Sequence, residues 1–135
     1  MTQSDAVIQA AQSGDEKKLR ELITAEPELV NARNARGQTP VLAALYHNHP
    51  ELAGLLLEFH PRLDIFEAAA TGRLDRVKQL VTRDPSLVDA CAPDGFHPLG
   101  LACFFGRAAT AEFLMDEGAD VFRFPAHAAA TQAGD

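Results

Sequence analysis

The sequence predicts an all-α chain, a solenoid of about four helix-turn-helix hairpins carrying two projecting loops. Three observations predict it. Shifted on itself by 58 positions, the chain lays residues 6–63 on 64–121 without a gap, and fourteen positions are identical. Gly and Pro repeat in register (Gly14/Gly72, Pro27/Pro85, Gly37/Gly95, Pro40/Pro98), so the backbone repeats along with the apolar pattern. Each unit divides again at a residue that tolerates the left-handed conformation after a helix end: Gly14, Asn48, Gly72 and Gly106, spaced 34, 24 and 34 apart. After each turn, apolar residues fall at helical spacing, as in Leu19, Leu22, Ile23 and again in Leu52, Leu55, Leu56.

In chain order, the first hairpin pairs helices over roughly 5–13 and 15–25, and the second over roughly 40–47 and 50–59. The third pairs 65–71 with 73–82, and the fourth 98–105 with 108–117. Thr39-Pro40 is an N-cap followed by Pro at the first helical position, while His49-Pro50 and His97-Pro98 repeat the Pro behind a weaker cap. Pro27 and Pro85 end the second helices of hairpins one and three, and PELV and PSLV form tight turns plugged by Leu29/Val30 and Leu87/Val88. The 34-residue steps hold ten residues that the 24-residue step lacks, around NARNARGQTP and DACAPDGFHP. A Gly in a polar stretch just before a helix reads as a projecting turn, so loops are expected near 31–38 and 89–96 and none at 60–65. The repeats fill residues 1–121, leaving a tail over 122–135. Its HAAAT resembles EAAAT at 67–71, the start of an incomplete fifth hairpin. Such a short helix forms only by docking, with Phe122 and Phe124 as anchors. Left loose, the tail exposes an end open to weak self-association.

Composition bounds the function. Apolar residues make up 47% and charged residues 23%, ordinary for a globular domain. A net charge of −7 argues against a nucleic-acid binder, which needs a basic footprint. No apolar run reaches the roughly 18 residues of a membrane span. The first residues carry acids where a secretion signal needs bases. Cys91 and Cys103 are too few for a disulfide framework, so the expected setting is cytoplasmic.

GQTPVLAAL, and GFHPLGLACFFGR followed by AEFLMDEGADV, resemble the ankyrin repeat, with its G-x-T-P-L-H-x-A start, Gly turn, Leu-Leu helix and G-A-D-V ending. The likeness covers about 5–121, strongly in hairpins two and four and by helix pattern alone in one and three. Val41-Leu42 and Leu99-Gly100 stand where the family has Leu-His, His97 replaces its Thr, and Asn48 its Gly. The alternating spacing resembles bacterial-type ankyrin proteins with finger-less repeats between regular ones. A tetratricopeptide solenoid is the alternative, but it does not accommodate a 24-residue step or such short first helices.

Chemistry-bearing residues are sparse. His47-Asn48-His49 is too closely spaced for two ligands to converge as at i, i+4, and places His47 at an exposed helix end. Cys103 fills the slot of Leu45 and is expected to be a small buried hydrophobe. Cys91, Asp94 and His97 lie on one loop without a rigid supporting shell. No catalytic residue, metal site or cofactor is therefore expected. The basic residues of the second helices alternate with acids, as on a solvated face.

The ankyrin resemblance implies a non-catalytic module that binds a protein partner on a concave face of loops and inner-helix ends. The contacting positions flank the loop Gly and precede the turn Gly. Here they are Arg36, Gln38, Tyr46 and His47 in the second hairpin, and Asp94, Phe96, Phe104 and Phe105 in the fourth. Aromatics and Arg are enriched at binding hot spots. Phe104 and Phe105 packed internally are the alternative for those two. Two other functions compete. A small hydrolase-like or metal-binding enzyme would draw on the His, Cys and Asp of hairpins two and four and needs a closed pocket joining them. A structural, self-assembling repeat protein needs a bare end.

Overall fold

A computed structural model describes residues 2–92 and 95–119. Pro93, Asp94 and the tail expectations over 122–135 lie outside the described residues. The described residues form eight α-helices and two 3₁₀ turns, with no strand. In order they are α1 (Gln3–Ser13), α2 (Glu16–Ala25), a 3₁₀ turn (Pro27–Asn31), α3 (Pro40–Tyr46), α4 (Pro50–Leu57), α5 (Ile65–Thr71), α6 (Leu74–Arg83), a second 3₁₀ turn (Pro85–Asp89), α7 (Pro98–Phe104) and α8 (Ala108–Asp116). Four starts in the first half recur 58 residues on, at 16/74, 27/85, 40/98 and 50/108. The helices agree with the sequence expectation to within two residues at each end.

The chain divides into two compact units, one ending at Arg62 and one beginning at Leu63. In the first, α1 packs on α2 and α3, and α3 on α4. Its core is Val7, Ile8, Leu19, Ile23, Val41, Leu52 and Leu56, each almost fully buried. In the second, α5 packs on α6 and α7, and α7 on α8, around Val77, Val81, Leu101 and Leu114. Burying each such side chain contributes roughly 1.5–3 kcal/mol. The inner helices α3, α5 and α7 are seven residues long, too short to stand alone, so this packing is what forms them.

Caps fix the starts. Thr2 with Asp5, and Asp64 with Glu67, form reciprocal capping boxes on α1 and α5. The Asp15 carboxylate accepts from Lys18 N–H, and Thr39 Oγ1 from Leu42 N–H. His49 and His97 make no side-chain cap bond. Gly14, Asn48, Gly72 and Gly106 all take the left-handed conformation expected of them. Leu29, Val30 and Val88 plug the 3₁₀ turns, while Leu87 is only half-buried.

The links between helices differ. Between α2 and α3 the chain doubles back through Asn34 and Gln38, whose main chains bond at 3.1 Å. Ala92 and Phe96 close the corresponding turn before α7 at 2.8 Å. Between α4 and α5 the backbone bonds of residues 58–60 only continue the helix end. Arg62 ties that end down: its N–H donates to Asn31 Oδ1 at 2.7 Å, and its guanidinium meets Glu28 at 3.2 Å.

Candidate partner-binding site

In the first unit the site positions sit on a loop held by its own side chains. Asn34 Oδ1 accepts from the N–H groups of Arg36 (2.9 Å) and Gln38 (3.0 Å), an Asx turn that aligns the two donors. Asn34 Nδ2 donates to Gln38 Oε1 at 2.7 Å. The Gln38 amide is thus partly committed to the loop, while Arg36 is exposed. Thr39 then starts α3, which carries Tyr46, half-buried, and delivers His47, exposed, just past its end.

The second unit builds the same place differently. Ala92 stands where the first unit has Asn34, so no side-chain amide bridges the loop. The tie comes from His97, in the place of Thr39. Its Nδ1 lies 2.9 Å from Ala90 O and the ring is buried. A carbonyl only accepts, so Nδ1 carries the proton. Phe96 leaves this loop and reaches Phe104 at the end of α7, ring centroids 6.2 Å apart. Phe104 meets Phe105 edge-to-face at 4.9 Å. Phe96 and Phe105 are half-buried, but Phe104 is 67% exposed. Asp94 lies outside the described residues. The structure therefore brings Phe96, Phe104 and Phe105 into one cluster.

Cys103 corrects an expectation. It was expected to be a small buried hydrophobe in the slot of Leu45; Leu45 is buried, but Cys103 is exposed. It lies on α7, the first helix of the last described hairpin. Partial enclosure still pushes its thiol up from the ordinary value, which disfavours the thiolate a nucleophile needs.

The other chemistry-bearing residues fall apart. His49 Nδ1 is 3.7 Å from Glu51 Oε1, a carboxylate largely in solvent. Cys91 is exposed, its Sγ 3.4 Å from Ala92 O, and His97 is turned to Ala90 O. Among the described residues no group of three or more His, Cys, Asp or Glu is arranged to hold a metal ion. Open depressions on α6 (Asp75, Lys78, Gln79, Thr82, Arg83) and in the first hairpin (Ala6, Gln9, Ser13, Lys18) are lined by none of the candidate His or Cys.

Sequence reasoning missed the residues that join hairpins. A Cβ on Gly14 would fall 2.7 Å from His49 Cε1, and one on Gly72 would fall 2.9 Å from Arg107 Cδ. Both glycines have positive φ, so each serves as a turn and as a bare surface for the next hairpin. Arg107 Nε also donates to Ala70 O at 2.8 Å. The signal available was the equivalence of His49 and Arg107, one residue past Asn48 and Gly106. Asn34, two residues before Arg36, was likewise visible as an Asx-turn residue.

Comparison with known proteins agrees with this construction. Residues 7–125 match the family model for ankyrin repeats (3 copies). The zebrafish (Danio rerio) ankyrin repeat and SAM domain-containing protein 6 is 37% identical over 62 residues, 46% of this chain and 8% of that protein. The human (Homo sapiens) DNA-binding protein RFXANK is 40% identical over 58 residues, 43% of this chain and 22% of that protein. The matches thus span less than a quarter of either relative. No helix among the described residues is long and apolar enough to cross a membrane. The match to the family model over most of its length, on a frame of paired helices and left-handed turns, shows that the chain belongs to the ankyrin-repeat family, whose repeats generally mediate protein–protein interaction.

Proposed function

We propose that the chain is a non-catalytic module that holds a protein partner on its loop tips and inner-helix ends, in the cytoplasm and without a cofactor. The observation that carries this reading is Phe104: a large ring, 67% exposed, set against Phe96 and Phe105 at a position where the family presents contacts. An aromatic side chain left in water at the end of a short inner helix adds little to the fold and is well suited to be a binding anchor. Arg36 and His47 are exposed in the first unit, with Tyr46 and Gln38 half-buried beside them. Asp94 completes the proposed set by sequence. One relative is named a DNA-binding protein. A net charge of −7 here favours a protein over direct contact with nucleic acid.

Affinity capture from the native cell with mass spectrometry identifies the partner. Tyr46→Ala, Phe96→Ala and Phe105→Ala are then measured separately for melting and for binding to it. Hot-spot positions lose about 2 kcal/mol or more of binding. Loss of melting temperature with unchanged binding per folded molecule would return these side chains to internal packing and overturn the reading.

A further inference from the structure

The second helix of each unit's first hairpin handles its cations differently. In α2, Arg20 pairs with Glu16 at 2.9 Å, one helical turn back. Its counterpart on α6 is Lys78, and Leu74 stands in the place of Glu16. The Lys78 ammonium lies instead 5.7 Å from the centre of the Phe113 ring on α8. Arg83 takes the place of Ala25. Among the described residues, neither Lys78 nor Arg83 forms an ion pair with a carboxylate.

These two cations line one open depression of about 610 Å³ together with Asp75, Gln79 and Thr82. The five positions fall at i, i+3, i+4, i+7 and i+8, a single face of α6, and all are exposed. A neighbour outside the depression fixes the chemistry of Gln79. Arg76 Nε donates to Leu63 O at 3.0 Å, and its Nη1 donates to Gln79 Oε1 at 3.2 Å. A guanidinium only donates, so the Gln79 oxygen is the bonded end and its NH₂ is left to meet a ligand. The lining thus offers an ammonium, a guanidinium, an amide NH₂ and a hydroxyl, against the one carboxylate of Asp75. Such a set suits an anionic acceptor. At roughly 30 Å³ per water molecule, the depression takes a chain segment rather than a single small ion.

We infer that this face of α6 is a second contact surface, which takes an acidic segment of a partner protein whose carboxylates accept from Lys78, Gln79, Thr82 and Arg83. Asp75, at the start of the face, disfavours a carboxylate there and so sets the register of the segment. The inference rests on the protein-binding reading and adds a surface outside its loop tips and inner-helix ends.

The test is a random peptide library displayed on phage and selected on the full chain. The best sequences are then synthesised with a fluorescent label and titrated by anisotropy. The enriched pool is expected to be rich in Asp and Glu. The best peptide should bind at least about tenfold more weakly to the double variant Lys78→Gln, Arg83→Gln. The control pair Lys17→Gln, Arg20→Gln removes the same charge from α2 and should change affinity by less than about twofold. All four side chains are exposed, so both double variants should fold, and circular dichroism checks that they do. Equal losses on the two pairs, a pool without acidic enrichment, or unchanged binding to the α6 pair overturn the proposal. If the selected peptides are instead lost on Phe104→Ala alone, the protein-binding reading stands while this one falls. A pool no more enriched than that from an unrelated protein counts against both. A labelled single-stranded oligonucleotide that outcompetes the best peptide and is itself lost on the α6 pair gives the donors to nucleic-acid phosphates and also overturns the proposal.

Discussion

The loop before α3 and the loop before α7 descend from the same stretch of the repeat, and they close the same backbone turn by different means. The first uses Asn34, whose side chain gathers two backbone N–H groups and the Gln38 amide. The second has Ala92 there and is anchored one turn later by His97 on Ala90 O. Gln38 in the first loop is bonded inward, while its counterpart Phe96 in the second reaches to Phe104. The difference teaches that a shared frame leaves the surface chemistry open as long as each loop keeps one polar tie.

The largest test of this comparison concerns what the two units share. Gly14→Ala and Gly72→Ala each place a Cβ at positive φ, costing roughly 1–2 kcal/mol. Each also meets a neighbour from the next hairpin. The imidazole of His49 is rigid and approached to 2.7 Å, whereas Arg107 Cδ, at 2.9 Å, belongs to a flexible chain. Thermal melting should therefore show Gly14→Ala as the more damaging of the two. A larger loss at Gly72 would mean that the bond from Arg107 to Ala70 O governs the joint instead.

Asn34→Ala gives the first loop the residue of the second without its compensating histidine. About 1 kcal/mol of stability should go, with faster amide exchange at Arg36 and Gln38. Unchanged exchange there would show that the main-chain bonds alone hold the loop.

The smallest effect is expected at Phe104. Replacement by Ala should shift stability by less than about 0.5 kcal/mol, since the side chain is mostly in water. Tyr46→Ala, at the equivalent and half-buried position, should cost more. Melting curves that reverse this order would make the aromatic cluster a part of the core.

The helical frame was legible because its signals are local. A left-handed turn needs Gly or Asn, a first helical turn accepts Pro, and Thr39 or Asp64 caps the N–H groups beside it. Phe96, Phe104 and Phe105 were named as positions by the family resemblance, and their exposure and ring contacts come from the structure. Their mutual contact was not legible, because it joins a loop to the far end of a helix. Cys103 misled because equivalent positions in a repeat share a backbone but not neighbours. His97 was read as a weak cap, and its actual partner lies seven residues back, beyond the reach of any helix-start pattern.

The bare surface of Gly14 and Gly72 has a consequence for how such chains change over generations. A glycine there offers no shape of its own to match, and an imidazole rests on one while the stem of a guanidinium rests on the other. The docking residue can therefore be exchanged for another flat or slender side chain without a matching change in the hairpin before it. Duplication can copy a unit and let its joints drift separately from its tips.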